Sequence, residues 1–208
     1  GVVCAVATER NTVVDPQPVI DKLGIGAHLR GFPGDEIASD GGRDPFGHLD
    51  VFPLALDPND PRGGAPRARD RSPRDLLDQI RALPGERVVQ VSHPRSGARG
   101  YFERLRFNPT TGSGDAPSYD GRFDTIEVWS GRRPADRDSV LADLWALLRT
   151  SHPTTPTASA YAHGLASVVP GYPRTFVAVS EDDPARLDAA GLADGLKKRR
   201  DVVLTNGP

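Results

Sequence analysis

Methionine is absent from all 208 residues, and cysteine occurs once, at Cys4. Without an initiating methionine, Gly1 is not expected to be a translational start, and the chain is expected to be a piece of a longer protein. A single cysteine excludes an internal disulfide. Lying in the apolar run VVCAVA, Cys4 is expected to serve as a small buried hydrophobe. No run approaches the roughly 20 apolar residues that cross a bilayer, so no membrane segment is expected. The opening GVVCAVAT has neither the basic region nor the cleavage pattern of a signal peptide. A targeting segment upstream of Gly1 would leave the compartment open. Lysine is confined to Lys22, Lys197 and Lys198, so arginine carries most of the positive charge. The net charge of −2 gives no electrostatic reason to bind nucleic acid or an anionic membrane.

What is present suits one domain with a substantial core. Val2–Ala7 is β-branched-rich and reads as a buried strand, ending at the polar TERN of Thr8–Asn11. Asp15-Pro16 starts a helix to about Leu23, where Gly24 stops it. Leu29–Phe32 and Ile37 flank PGDE. His48–Leu56 reads as a strand with an edge or bulge at Pro53. Asp57–Arg71 is rich in turn residues and reads as a surface loop. Ser72-Pro73 is an N-cap with a proline at the first helical position. It opens a helix over Arg74–Leu83 with Leu76, Leu77, Ile80 and Leu83 on one face. Strands follow at Arg87–Val91 and Phe123–Trp129, with an irregular segment, Gly97–Gly121, between them. Ala135–Leu148 reads as an amphipathic helix. Thr154–Ala160 is strand-like but broken by Pro156. A strand over Tyr172–Val179, a helix capped by Asp188 and running to about Arg199, and a strand at Val202–Leu204 complete the chain. Strands alternating with helices predict an α/β fold with mainly parallel pairing.

In parallel α/β folds, sites form where loops leave the C-terminal ends of strands. Glu9, Arg10 and His93 fall at such ends, and Glu127 lies within a strand. Glu36, His48 and His163 lie in or beside loops. Three imidazoles and a carboxylate suit zinc, manganese or iron. Against this, a histidine before proline is most often a plain loop residue, His48 suits a strand cap, and Glu36 suits a turn. His28 and His152 have no comparable setting and are expected to be solvated. GGR and GSG lack the strand–helix context of a phosphate loop.

The segments ATERNTVVDPQPVI, PGDEIAS, FGHLDVFPL, VSHPRSG, FDTIEVWSG, GYPRTFV and VVLTNGP together resemble the PHP (polymerase and histidinol phosphatase) family. They do so in order along nearly the whole chain, and are most similar to its CehA/McbA-type metallohydrolase branch. The resemblance implies a distorted seven-stranded β/α barrel, here without its N-terminal strand, with divalent metals at the barrel mouth. It also implies hydrolysis of phosphate esters, or of carboxylic or carbamate esters. By this resemblance Glu36 matches a metal-bridging carboxylate, and His48 and His93 match metal-ligating histidines. His163 matches the final histidine of an Asp-x-His pair. Three departures stand out. The family's first-strand His-x-His pair would lie upstream of Gly1. Arg10 stands where a histidine ligand belongs, and Tyr161 where the aspartate belongs. Arginine has no lone pair to offer, and tyrosine ligates only as phenolate. Two functions follow as expectations. One is a metal-dependent hydrolase of a small ester or phosphate. The other is a non-catalytic module that has lost metal ligands, with Arg10 binding an anion in place of a metal. A third reading, an ordinary α/β domain with incidental histidines, predicts that the four candidate ligands do not converge.

Overall fold

The computed structural model describes residues 2–131, 136–164, 169–181 and 183–206. Strand β1 (Cys4–Ala7) leads through helix α1 (Gln17–Lys22) to β2 (Arg30–Pro33), which pairs parallel with β1. Strands β3 (Asp35–Ala38) and β4 (His48–Phe52) follow, then helix α2 (Pro73–Ala82) and β5 (Val88–Val91). A short helix α3 (Tyr101–Arg104) and the two-residue strands β6 (Phe107–Asn108) and β7 (Ser113–Gly114) come next. The chain continues with β8 (Thr125–Ser130), helix α4 (Arg137–Arg149), β9 (Thr155–Ser159), β10 (Arg174–Val177), α5 (Ala189–Asp194) and β11 (Val202–Thr205).

The principal sheet has five strands in the order β3-β4-β5-β8-β9. Pairing is antiparallel from β3 to β5 and parallel from β5 to β9. The expectation of mainly parallel pairing is therefore corrected. So is the seven-stranded β/α barrel, because the described residues form no closed barrel. The remaining strands form three separate two-stranded ladders, β1-β2, β6-β7 and β10-β11. Closure needs a continuous ladder at both edges of a sheet. At one edge β3 is covered by the non-strand segment 9–11. Glu36 donates its N–H to the Glu9 carbonyl at 3.1 Å, and Asn11 donates to the Glu36 carbonyl at 2.9 Å. At the other edge Pro156 deprives β9 of a backbone donor.

Strand alternation separates two chemistries. Ile37, Leu49, Val51, Val89, Val91, Ile126 and Val128 face one way, into a core closed by Leu76, Leu77 and Ile80 of α2 and Val140, Leu144 and Leu147 of α4. The opposite face carries a polar row in register across all five strands: Glu36, Asp50, Gln90, Thr125 and Thr155. Glu36, Gln90, Thr125 and Thr155 are buried, and Asp50 is half-buried. Gln90 ties the row together, donating to Asp50 at 3.1 Å and accepting from Thr125 at 3.3 Å and from Thr157 at 2.8 Å. Such a row is tolerated because its members satisfy one another.

Helix starts follow their caps. Ser72 accepts from the Asp75 N–H, with Pro73 at the first position, and Asp188 accepts from the Gly191 N–H at 2.7 Å. Two loops differ from expectation. The Asp57–Arg71 segment buries Ala65 and Ala68 in the core. The Gly97–Gly121 segment buries Tyr101, Phe102 and Phe107, with Phe102 and Phe107 stacked at 4.2 Å. Cys4 packs half-buried against a second apolar cluster, and burial pushes its thiol up to about 12, so it is not a nucleophile at neutral pH. Among the described residues no helix is long and apolar enough to cross a membrane.

Asp35 is fully buried on β3. One of its oxygens accepts the Thr12 N–H at 3.1 Å, and the other has no partner. Burial pushes this carboxyl up to about 7, against the pull of the Thr12 N–H and Arg62. The folded state therefore holds the proton more tightly than the unfolded chain. Stability supplied by protonated Asp35 is complete below its ordinary value of 3.8 and is lost as pH rises toward about 7. Asp35→Asn is expected to remove about 4 kcal/mol of the stability loss between pH 4 and pH 8, read by urea unfolding at both pH values. An unchanged pH slope in the variant would contradict this account.

Candidate metal centre

The centre is built from three backbone positions. Glu36 projects from β3, His48 opens β4, and His93 follows β5 directly. Gly47 precedes His48 at φ +96, where a Cβ would lie 2.7 Å from Tyr101 N and 2.8 Å from Arg99 O. Only glycine lets the start of β4 pack this closely on the turn that follows His93. His93 itself adopts φ +33, an uncommon conformation for a residue with a side chain. Its N–H donates to Glu127 at 2.5 Å, which anchors it there. Ser159 in turn donates to Glu127 at 2.5 Å.

Glu36, His48 and His93 are all buried, and each presents one donor atom within 4.8 Å of the others. His48 Nδ1 lies 3.3 Å from Glu36 Oε1 and 3.1 Å from His93 Nε2. In a tetrahedral site with bonds of about 2.0–2.1 Å, donors sit about 3.3 Å apart, close to these two separations. The outward nitrogens also face carboxylates. His48 Nε2 is 3.2 Å from Asp40 Oδ2, and His93 Nδ1 is 3.7 Å from Glu127 Oε2. The Asp40 carboxylate can hold the outer N–H of His48 and turn its inner lone pair toward a metal, whereas His93 Nδ1 makes no hydrogen bond. Burial alone would raise the Glu36 carboxyl. Hydrogen bonding and charge from His48, with His93 and Arg10, outweigh it and keep the group below the usual carboxylate range. The cluster can therefore hold a metal ion.

Arg10 complicates the outer side. Its guanidinium pairs with Asp40 and lies 3.2 Å from His48 Nε2. Two tautomers of His48 follow. With the proton on Nε2, His48 donates to Asp40 and its Nδ1 lone pair is available to a cation. With the proton on Nδ1, His48 donates inward and Nε2 accepts from Arg10, a self-contained arrangement without metal. Because Arg10 is paired with Asp40, it is not the free anion site that the sequence suggests.

His163 is not brought into the cluster. It is exposed, and its ring lies 4.4 Å from that of Tyr161, which in turn lies 5.5 Å from His93. Glu9 contributes only its backbone carbonyl to the sheet edge. His28 is exposed, as expected. His152 is half-buried against Phe123 at 5.0 Å, so it is not solvated, and burial lowers its pKa. Sequence reasoning overlooked Asp40. The only signal for it was a carboxylate eight residues before His48 in a glycine-rich turn.

Fold and site together define a mixed α/β chain with a buried Glu–His–His cluster that could hold a metal ion. The chain matches no family model, no curated protein and no solved structure among those compared with it.

Proposed function

We propose that this chain is a PHP-like metal-dependent hydrolase domain acting on phosphate esters or on carboxylic or carbamate esters. The observation that carries the reading is the buried cluster of Glu36, His48 and His93, whose donor atoms all lie within 4.8 Å of one another. Two imidazoles and one carboxylate suit zinc, manganese or iron. Such an ion supplies Lewis acidity and lowers the pKa of bound water to about 7. The protein's own part is to keep Glu36 ionised, to orient the His48 imidazole through Asp40, and to anchor the His93 backbone through Glu127. Overall, the oxygen of water bonds to phosphorus or to the acyl carbon, the ester bond breaks, and the alcohol departs with a proton.

Purified protein is expected to carry about one equivalent of divalent metal and to hydrolyse 4-nitrophenyl phosphate or 4-nitrophenyl acetate. Chelation should abolish turnover and readdition of metal should restore it. His48→Ala and His93→Ala should each remove both metal and activity. A well-folded protein that binds no metal when supplied would overturn the proposal.

One observation favours a second reading, a non-catalytic binding module: the Arg10 guanidinium sits where it stabilises the metal-free tautomer of His48. That reading predicts little metal and no turnover, so the same metal analysis separates the two.

A further inference from the structure

A cleft of about 220 Å³ opens beside the cluster. Residues 96–99, Ser130 and Tyr161 line it, and His93 is shared with the candidate metal centre. The 96–99 segment is tied back to His93 by backbone hydrogen bonds. Ser96 donates its N–H to the His93 carbonyl at 2.9 Å and Arg99 donates to that of Ser96 at 3.1 Å. A Cβ on Gly100 would lie 2.3 Å from Pro94 O and 2.7 Å from Ser96 N, so the turn tolerates little displacement.

Two polar groups on this cleft lack partners among the described residues. Ser130 is 7% exposed, and its hydroxyl has no hydrogen-bond partner. The Arg99 guanidinium makes no ion pair and no side-chain hydrogen bond. Neighbouring arginines are all engaged: Arg10 with Asp40, Arg95 with Asp143, and Arg104 with the Pro45 carbonyl. An exposed arginine is usually solvated. This one lines a concave site shared with a candidate metal ligand and with Ser130, whose hydroxyl is unsatisfied. A guanidinium and an unsatisfied hydroxyl lining one small cleft are complementary to an oxyanion.

We propose that the cleft is a subsite for an oxyanion of the substrate, a carboxylate or a phosphate, away from the bond that is cut. Arg99 supplies the charge and Ser130 a hydrogen bond. The volume is below the range of drug-sized ligand sites, which restricts the substrate to a short molecule. The inference rests on reading Glu36, His48 and His93 as a hydrolytic centre. It adds that the ester carries a second, negatively charged group.

The test compares wild type, Arg99→Ala and Ser130→Ala, each with its metal content verified. Succinate and inorganic phosphate are titrated calorimetrically. The 4-nitrophenyl monoester of succinic acid is compared as substrate with the neutral 4-nitrophenyl butyrate. Arg99→Ala is expected to weaken binding of one of the two oxyanions about tenfold or more, and whichever is affected identifies the group recognised. Ser130→Ala should weaken the same probe about threefold to tenfold. The preference for the succinate monoester over butyrate should fall about tenfold in Arg99→Ala if the group is a carboxylate. If both oxyanions bind equally well to wild type and Arg99→Ala, or neither binds wild type at millimolar concentration, the subsite is wrong even if esters are hydrolysed. If oxyanion binding depends on Arg99 but no ester is cut, the subsite stands and the hydrolytic reading fails.

Discussion

Arg95→Ala is expected to destabilise the protein by about 3 kcal/mol. Arg95 makes a two-pronged contact with Asp143, Nε to Oδ2 at 2.7 Å and Nη2 to Oδ1 at 2.6 Å, and also donates to the Phe107 carbonyl at 2.9 Å. The Asp143 side chain is 1% exposed and that of Arg95 18%. Burial raises the Asp143 carboxyl more than Arg95 lowers it, and the same pair raises Arg95. The two shifts differ: for Asp143 burial outweighs the bond, whereas for Arg95 the bond outweighs burial, as suits the more exposed partner. Removing the arginine leaves a buried carboxyl that must stay uncompensated or take up a proton. The penalty should therefore be largest at neutral pH and shrink toward pH 4, where the unfolded chain also holds the proton. Arg95→Met combined with Asp143→Leu should recover most of the loss, because an apolar pair needs no compensation. Chemical denaturation at pH 7 and pH 4 measures all three. A loss below about 1 kcal/mol at pH 7 would mean the pair is structurally dispensable. Because Arg95 lies two residues beyond His93 and fastens that turn to α4, the single variant should also bind metal more weakly.

Asp40→Ala and Arg10→Ala are expected to move metal affinity in opposite directions. Asp40 faces His48 Nε2 at 3.2 Å and favours the tautomer whose Nδ1 lone pair points at Glu36 and His93. Loss of such an orienting carboxylate typically costs about 10-fold to 100-fold in affinity. Arg10 lies equally near Nε2 and favours the other tautomer. Removing it also takes a positive charge away from an incoming cation, so affinity should rise about threefold to tenfold. Competition against a chromophoric chelator reads both constants. Parallel changes in the two variants would show that neither side chain selects the tautomer of His48. Both positions are partly exposed, so the folded state should survive either change.

Parts of this architecture were legible in the sequence for identifiable reasons. Ser72-Pro73 fixed the start of α2, and the leucines that follow fixed its buried face. The β-branched runs at Val88–Val91 and Thr125–Ser130 marked the central strands. Three of the four candidate ligands converge, because residues flanking adjacent strands become neighbours once those strands pair. Sheet closure was not legible, since it depends on partners at both edges. An irregular segment, 9–11, takes the place of a strand beside β3. Tyr101, Phe102 and Phe107 were missed because a four-residue helix carries no periodicity, although their aromatic character was itself a signal. His163 was placed by resemblance, and its own surroundings offered nothing to draw it toward the cluster. Arg99 escaped notice because its role depends on a cleft wall contributed by a strand thirty residues later.

The polar row across the sheet also guards against misfolding. A slip of one residue between β4 and either neighbour would turn Leu49 and Val51 into the row. It would also drive His48 and Asp50 into the apolar layer beneath α2 and α4. Both outcomes strand incompatible groups, so only one alignment of the strands satisfies both faces. A cation held by Glu36, His48 and His93 would cross-link three successive strands of that alignment and no other. Metal supplied during refolding should therefore improve the yield of native protein as well as its final stability.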